Sequence, residues 1–379
     1  MPFQLFYSLL LLFVTCDFSF SWVNPPSSSS SSFGARQLPQ LTLLYAAKKG
    51  FAQKKNDASN KNNKNNSYSS NKRSSNKPNA FHKETSSRPI YSQPALYDLA
   101  FGYRDYEAQV DFLWQRHCHV TGRAPERLVE IAAGPARHAL LALEMYGGVD
   151  SGTDDDATNN APLLQCVHCI DASHDMYQYA TDLAQHELSV DQQEQFHYHV
   201  ADMRSFTLPS NEKVDTAWLL LGSLQHMNTN EDVRRCFTAI YNNLTPDGTL
   251  IIELPHPRET FSMVECTRNG WKVPLDDEQG AEAGELTIVW GDDDDAFDPM
   301  TQVRQFSVRM ELTGTEQDMT LQEVVPLRLF TAQEIEALAA ATNFRIVSMH
   351  GALELDDGEL IDVNDEDLAY RMVVVLQKI

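Results

Sequence analysis

Residues 128–138 have the sequence LVEIAAGPARH, an apolar run that ends in a turn of small residues. The run has the length and composition of a buried strand, and the turn at 133–135 leads into a helical pattern at 139–146. A strand, a tight turn and a helix in this order bring backbone N–H groups and a helix N-terminus close to a bound ligand. A single unit of this kind is common, so its meaning depends on the rest of the chain.

Strand-like and helix-like segments alternate on both sides of this unit. Short apolar runs typical of buried strands occupy 127–132, 166–170, 197–200, 214–221, 250–254, 344–349 and 371–376. Segments with helical spacing occupy 97–119, 139–146, 176–188, 232–244 and 331–341. This alternation predicts an α/β fold with a doubly wound, mostly parallel sheet of seven strands and right-handed crossovers.

The alternation is interrupted between residues 256 and 329. Strand-like stretches at 286–290, 303–312 and 319–329 follow one another without intervening helices, and acidic, turn-rich links separate them. We interpret 256–329 as an antiparallel insertion that covers the substrate. Arg304 within it is a candidate for holding a substrate carboxylate, although a solvated strand charge is the simpler interpretation.

Acidic residues stand at the ends of the predicted strands, where ligands bind in doubly wound sheets. Asp171 ends the second strand and could accept hydrogen bonds from two ribose hydroxyls. Asp202 and Met203 follow the third strand and could contact the edge and face of an adenine. The spacing from Glu130 to Asp171 is about twice the roughly 20 residues usual in dinucleotide-binding units, and the acidic 147–162 loop explains most of the excess.

Taken together, five segments resemble the class I S-adenosylmethionine-dependent methyltransferases. They are VEIAAG at 129–134, CIDAS at 169–173 followed by Met176, ADMR at 201–204, VDTA at 214–217 and LTPDGTL at 244–250. The resemblance extends roughly over residues 97–379. It implies S-adenosylmethionine as the cofactor and methyl transfer to nitrogen or oxygen of a small metabolite by in-line displacement.

The resemblance also implies which residues contact the cofactor. Glu130 would anchor the small-residue loop or the cofactor's amino group, and Tyr97 and Tyr103 would form an aromatic lid. The full set is Tyr97, Tyr103, Glu130, Ala132, Gly134, Asp171, Ala172, Met176, Asp202, Met203 and Leu221. The family usually has glycine where this chain has Ala132 and Ala136, and alanine is disfavoured there if φ is positive.

A base is useful in methyl transfer when the acceptor arrives protonated. The candidates are His226, after the fourth strand, and Glu253 and His256, at the end of the fifth. Each also has a structural interpretation: packing or capping for His226, and hydrogen bonding around Pro255 for the other two. Positioning the methyl group and its acceptor supplies about 7–11 kcal/mol whichever residue is the base.

The charge of the chain is distributed unevenly around a formal net value of −23. Segment 22–89 holds twelve Lys and Arg against Asp57 and Glu84, whereas 18 basic residues stand against 50 acidic ones from Ile90 onward. Because nucleic-acid affinity depends on basic residues that neutralise phosphates, we expect no nucleic-acid partner.

The first ninety residues have the composition of a targeting sequence. Residues 1–21 contain the run LLLLFV at 9–14, which is too short to span a bilayer comfortably and resembles a signal peptide. Residues 22–90 are rich in Ser, Asn and Lys and resemble a disordered transit segment. We expect residues 91–379 to be the methyltransferase domain, without a stable membrane span, and the location to be a plastid. The secretory pathway and a merely disordered cytosolic N-terminus are the alternatives.

The six cysteines predict neither a disulfide scaffold nor a metal site. Cys166 and Cys169 have CxxC spacing, but they lie inside a strand-like run, and we expect core cysteines. Three other functions stay open: a protein methyltransferase, a non-catalytic cofactor-binding or assembly factor, and a dinucleotide oxidoreductase. The last would require a fuller glycine fingerprint.

Overall fold

A computed structural model of the protein describes residues 90–148, 164–209, 212–261, 269–276, 282–315 and 318–379. The signal-like segment, nearly all of the transit-like segment and most of the 147–162 loop therefore lie outside the described residues. Among the described residues, no helix is both long and apolar enough to cross a membrane.

The central sheet follows the expected doubly wound topology. Its strands are β1 Arg127–Ile131, β2 Cys166–Asp171, β3 Phe196–Val200, β4 Val214–Leu219, β5 Leu244–Pro255, β11 Phe344–Asp356, β12 Glu359–Asp362 and β13 Arg371–Lys378. They are ordered β12-β11-β13-β5-β4-β1-β2-β3. The pairs among β1 to β5 are parallel, and β13 runs antiparallel to both β5 and β11. The α/β fold and all seven expected strands are confirmed.

An eighth strand, β12, was not predicted. It forms an antiparallel hairpin with the far end of β11, which continues to Asp356 instead of ending near Met349. Gly351 and the acidic turn at 356–359 interrupt the apolar pattern there, which conceals the extension. The added strand lies at the edge of the sheet.

Helices cover both faces of this sheet. They are α1 Pro94–Phe101, α2 Tyr106–Thr121, α3 Arg137–Tyr146, α4 His174–Glu187, α5 Val190–Gln195, α6 Asn230–Asn243, α7 Pro257–Thr260 and α8 Ala332–Ala340. Helices α2, α3 and α4 bury apolar residues in one core, and α6 and α8 do so in the other. The expected 97–119 helix is two helices, because Gly102 ends α1 and the Asp105 side chain caps α2 by accepting from Ala108 N.

The antiparallel insertion forms a separate sheet. Its strands are β6 Asn269–Asp276, β7 Glu282–Trp290, β8 Phe297–Asp298, β9 Val303–Thr313 and β10 Met319–Arg328. The order is β10-β9-β7-β6, and β8 pairs with β9. Strand β6 was missed because Gly270 and Pro274 are unusual within strands. The apolar face of this sheet packs against α1 and the short 3₁₀ helix Ile90–Ser92.

Candidate active site

A cavity of about 800 Å³ lies at the carboxyl ends of the parallel strands. The turns after β1, β2, β3 and β4 form its floor, and α1 and the antiparallel sheet line its other side. Its volume is within the range of small-molecule sites. Of the residues implied as cofactor contacts, ten line this cavity: Tyr97, Tyr103, Ala132, Gly134, Asp171, Ala172, Met176, Asp202, Met203 and Leu221.

The turn after β1 has an unusual backbone. Ala132, Gly134 and Ala136 have φ values of 53°, 52° and 58°, in the left-handed region that favours glycine. The two alanines at places where the family usually has glycine are therefore both in the disfavoured conformation. The turn is fixed from two sides, because Gly134 N donates to Asp171 Oδ2 at 2.9 Å and Tyr198 Oη donates to Gly134 O at 2.7 Å.

Asp171 lines the cavity at the end of β2. Besides Gly134 N, its carboxylate accepts a hydrogen bond from Ser173 N at 2.8 Å, while the cavity gives access to the same side chain. Burial raises the pKa of Asp171 above its ordinary value, and the backbone donors oppose this effect. The side chain thus connects the turns after β1 and β2 and still faces a ligand.

The turn after β3 brings Asp202 and Met203 to the cavity. Asp202 is 42% exposed and paired with Arg204, whose hydrogen bonds lower the pKa of the carboxyl. Met203 is partly buried against the core and lines the cavity beside it. Both residues that the sequence offered as adenine contacts therefore line the cavity.

Glu130 is placed differently from the other implied cofactor residues. It is 3% exposed, accepts a hydrogen bond from Ala139 N at 3.0 Å and lies 3.3 Å from His138 Nδ1. These contacts attach β1 to the first turn of α3. Glu130 does not line the 800 Å³ cavity, and its contacts match the loop anchor, one of the two roles that the resemblance implies.

The two tyrosines expected in the aromatic lid lie on α1 and just after it. Tyr97 lies within a group of rings, with centroids 5.7 Å from Tyr91 and 4.7 Å from Phe101. Tyr103, just beyond the helix, is 49% exposed and meets Trp271 edge-on at 6.1 Å. Both tyrosines line the cavity, Tyr97 from the interior and Tyr103 from the rim.

Ion pairs and hydrogen bonds hold α1 between its neighbours. Asp98 pairs with Arg137 at the start of α3 and accepts a hydrogen bond from Tyr179 Oη at 2.9 Å. Arg137 also pairs with Glu187 at 2.9 Å. On the other side of the helix, Trp271 Nε1 donates to Ala100 O at 2.8 Å. Helix α1 is thereby attached both to α3, which follows the turn after β1, and to the antiparallel sheet.

His226 is the one candidate base that lines the cavity. It ends a 3₁₀ helix, Ser223–His226, after β4, and its Nε2 lies 3.3 Å from Tyr91 Oη. Burial lowers the pKa of His226 below its ordinary value, so the imidazole is neutral near pH 7. A neutral ring nitrogen at a cavity wall can accept a proton from a bound acceptor.

Glu253 and His256 do not line the cavity. Glu253 is 1% exposed, pairs with Arg104 and Arg371 at 3.1 Å each and accepts a hydrogen bond from Leu221 N at 2.8 Å. Burial by itself would raise the pKa of Glu253, but the two arginines outweigh it and hold the pKa at about 2. A carboxylate in this state is a weak base.

His256 caps α7. Its Nδ1 accepts from Arg258 N at 3.1 Å, and its Nε2 donates to Val363 O at 2.9 Å. Both ring nitrogens are therefore used in structural hydrogen bonds.

Arg304, the candidate for holding a substrate carboxylate, does not line the cavity. It is buried, with its guanidinium 5.6 Å from the centre of the Phe306 ring.

Comparison with known proteins identifies the fold. Residues 151–252 match the family model for a methyltransferase domain. A solved S-adenosylmethionine-dependent methyltransferase from Clostridium acetobutylicum superposes with a TM-score of 0.55 at 14% identity, covering 75% of this chain and 96% of that chain. The fold is that of the S-adenosylmethionine-dependent methyltransferases.

Other structures with the methyltransferase fold are similar at the same level. DesVI from Streptomyces venezuelae has a TM-score of 0.54 at 16% identity, with 75% of this chain and 97% of that chain covered. The sugar N-methyltransferase KedS8 from a Streptoalloteichus species has a TM-score of 0.52 at 16% identity, with coverages of 81% and 99%. No curated protein matches the chain by sequence.

Local sequence patterns did not predict most of the cavity wall opposite the central sheet. The residues of that wall that the sequence did not indicate are Tyr91, Arg104, Glu259, Trp271, Trp290, Tyr370 and Arg371. They come from the N-terminal segment, the antiparallel sheet and the start of β13, which are distant in sequence. The aromatic composition of β6 and β7 was the one available signal.

Proposed function

We propose that this protein transfers a methyl group from S-adenosylmethionine to a nitrogen or oxygen atom of a small metabolite. The observation that carries the proposal is one cavity that two different groups of residues line. Gly134, Asp171 and Met203, at the turns after β1, β2 and β3, would form its cofactor end, and His226, which contacts Tyr91, would form its acceptor end. This is the arrangement that a two-substrate transfer requires.

The cofactor end has the groups that would hold an adenosyl moiety. Asp171 would accept hydrogen bonds from ribose hydroxyls, and Met203 and Asp202 would contact the adenine. The sulfonium of the cofactor is a cation, and aromatic faces attract cations. Tyr97 lines the cavity beside Tyr91 and would supply such a contact.

At the acceptor end we assign His226 as the base. The methyl transfer is a displacement in which the acceptor atom forms a bond to the methyl carbon while the bond from carbon to sulfur breaks. The proton of the acceptor passes to the neutral His226 ring. Tyr91 Oη, at 3.3 Å from Nε2, would orient the ring.

The enclosing sheet and the size of the cavity favour a small acceptor over a protein side chain. Two structures with this fold are described as an amino pentose methyltransferase and a sugar N-methyltransferase, at TM-scores of 0.50 and 0.52. Amines on sugar-like rings are therefore the first acceptors to test. The aromatic side chains Trp271 and Trp290 offer flat apolar surfaces for such rings.

The proposal is tested by titrating S-adenosylmethionine and S-adenosylhomocysteine into the full chain by calorimetry. We expect binding that Asp171→Asn weakens at least tenfold, because one ribose acceptor is lost. Asp175→Asn is the matched control, since Asp175 is an exposed acid four residues further along. Failure of folded protein to bind either compound would overturn the proposal.

One specific observation keeps a binding-only function as the second candidate. Ala132 and Ala136 place two strained residues in the cofactor loop, where the family usually has glycine. Cofactor binding without methylation of any acceptor in a broad amine and hydroxyl screen would favour this second function.

A further inference from the structure

A second cluster of reactive side chains lies on β2, away from the cavity. Cys166 and His168 alternate along the strand and so share one face, while Cys169 points into the core on the opposite face. The CxxC pair therefore does not converge. Cys166 instead has His168 beside it and Glu212, from the segment before β4, across from it.

The three side chains present their ligand atoms to one point. His168 Nε2 lies 3.3 Å from Cys166 Sγ and 3.2 Å from Glu212 Oε2, and all three atoms are within 4.8 Å of one another. Tetrahedral zinc with ordinary bond lengths separates sulfur from nitrogen, and nitrogen from oxygen, by about 3.4–3.6 Å. These two separations are thus within a few tenths of an ångström of the spacing that zinc requires, and Cys166 Sγ and the Glu212 carboxylate lie within 4.8 Å of each other.

His168 also has a partner for its second ring nitrogen. Its other nitrogen, Nδ1, lies 3.1 Å from His199 Nε2. A histidine ligand typically donates its second N–H to such a partner, which fixes the tautomer and the ring orientation.

We propose that Cys166, His168 and Glu212 bind one zinc ion, with His199 accepting a hydrogen bond from the liganding His168. Thiolate, imidazole and carboxylate are the ligand types that zinc takes. The thiolate and carboxylate charges neutralise the ion. Zinc binds the thiolate form of cysteine, so binding releases the Cys166 proton to solvent.

The site would be separate from the cavity, with water in the fourth coordination position that three protein ligands leave open. It lies near the amino end of β2, whereas Asp171 and the cavity are at the carboxyl end. An ion there joins β2 to the segment preceding β4, across the intervening β1. Glu212, with a side chain that is 44% exposed, gives the ion access from solvent. The inference does not depend on the proposed methyl transfer.

The first test measures metal content. The full chain is dialysed against zinc and then against metal-free buffer, and retained zinc is measured by mass spectrometry. We expect about one zinc per chain, lost in Cys166→Ser and Glu212→Gln. Cys118→Ser and Glu231→Gln are matched controls, since a partly buried free thiol and an exposed acid outside the cluster are changed.

The second test reports the ligands directly. Cobalt(II) added in place of zinc should give a thiolate charge-transfer band that Cys166→Ser abolishes, and His199→Ala should weaken zinc affinity by about 10–100-fold. Circular dichroism establishes that each variant is folded. In the absence of a metal, the same groups form a hydrogen-bond chain from His199 through His168 to Glu212. Folded protein that retains no zinc, or that retains it equally in Cys166→Ser, would support that chain and overturn the site.

Discussion

Ala132 and Ala136, in the turn after β1, have positive φ angles, a backbone conformation that glycine adopts at a lower cost in free energy. Their methyl groups differ in surroundings: Ala136 is fully buried, and Ala132 is partly exposed at the cavity. Removing the strain and removing the methyl group therefore have separable effects on stability at the two positions.

We expect Ala132→Gly to raise the free energy of unfolding by about 0.5–1 kcal/mol, because the backbone strain that is relieved exceeds the conformational entropy that glycine adds to the unfolded chain. Ala136→Gly should change it little, because the lost burial of one methyl group costs about 0.8 kcal/mol. The control Ala337→Gly, on the exposed face of α8, should lower it by about 1 kcal/mol. Urea denaturation measures all three, and a loss of stability in Ala132→Gly would contradict the strain argument.

At His226 the expected effect is on turnover and not on stability. His226→Gln should lower kcat by about 10²–10⁴-fold while leaving S-adenosylmethionine affinity unchanged. Because the base must be neutral and burial lowers its pKa, the activity of the wild type should fall only as pH drops below about 6.5.

His256→Gln distinguishes the two histidines. It removes the cap of α7 and should cost about 1 kcal/mol of stability without lowering kcat. If His256→Gln abolished turnover and His226→Gln did not, the assignment of the base would be wrong.

At the scale of the secondary-structure elements, Glu253 joins three segments of the chain. From β5 it binds Arg104 before α2, Arg371 on β13 and the backbone N–H of Leu221 after β4. Glu253→Gln leaves both arginines without their counter-charge. We expect the free energy of unfolding to fall by about 3–5 kcal/mol, as for other buried pairs that lose one partner.

The pH dependence of stability gives an independent measurement of the same group. The pKa of Glu253 is about 2 in the folded chain and about 4.3 when unfolded. Its stabilisation is thus complete above about pH 4.3 and is lost as pH falls toward 2. Denaturant titrations over this pH window measure the slope of the unfolding free energy against pH. This slope should be shallower for Glu253→Gln than for the wild type. Equal slopes would mean that the carboxyl is not held ionised.

At the scale of the whole molecule, the sequence predicted the parallel half of the protein and the turns that form the floor of the cavity. Strand-to-turn boundaries at 131–132, 171–172 and 200–202 are local patterns, and parallel strands bring their carboxyl ends together. The acceptor end depends on contacts between distant residues. Tyr91 and His226 are 135 positions apart, and no local pattern marks such a pair.

The zinc cluster is an intermediate case between these two. Cys166 and His168 share a strand face, which the alternation of a strand predicts. Their third partner, Glu212, comes from beyond the next strand, and the CxxC spacing pairs Cys166 with Cys169, which lies on the opposite face of β2. A search for i, i+2 ligand pairs on strands would have identified the two residues.

The N-terminal ninety residues carry a proposal about location. We propose that residues 1–21 and 22–90 act in sequence as a signal peptide and a transit segment that direct the chain to a plastid. Residues 1–90 fused to a fluorescent protein should accumulate in the plastid of an alga with complex plastids, and residues 22–90 alone should not. Secretion of the longer fusion would favour the secretory pathway instead.

Two contacts hold helix α1 in place. Its Asp98 pairs with Arg137 at the start of α3, and its Ala100 carbonyl accepts a hydrogen bond from Trp271 of the antiparallel sheet. A helix of eight residues supplies little stability of its own, so it is ordered by its neighbours. Filling the cofactor end would complete the wall against which an acceptor rests. We expect an obligatory order of loading: once an acceptor is known, calorimetry should detect its binding only when S-adenosylhomocysteine is present. Each methylated product would then leave before the spent cofactor, and the enzyme would not sequester acceptor when the methyl donor is scarce.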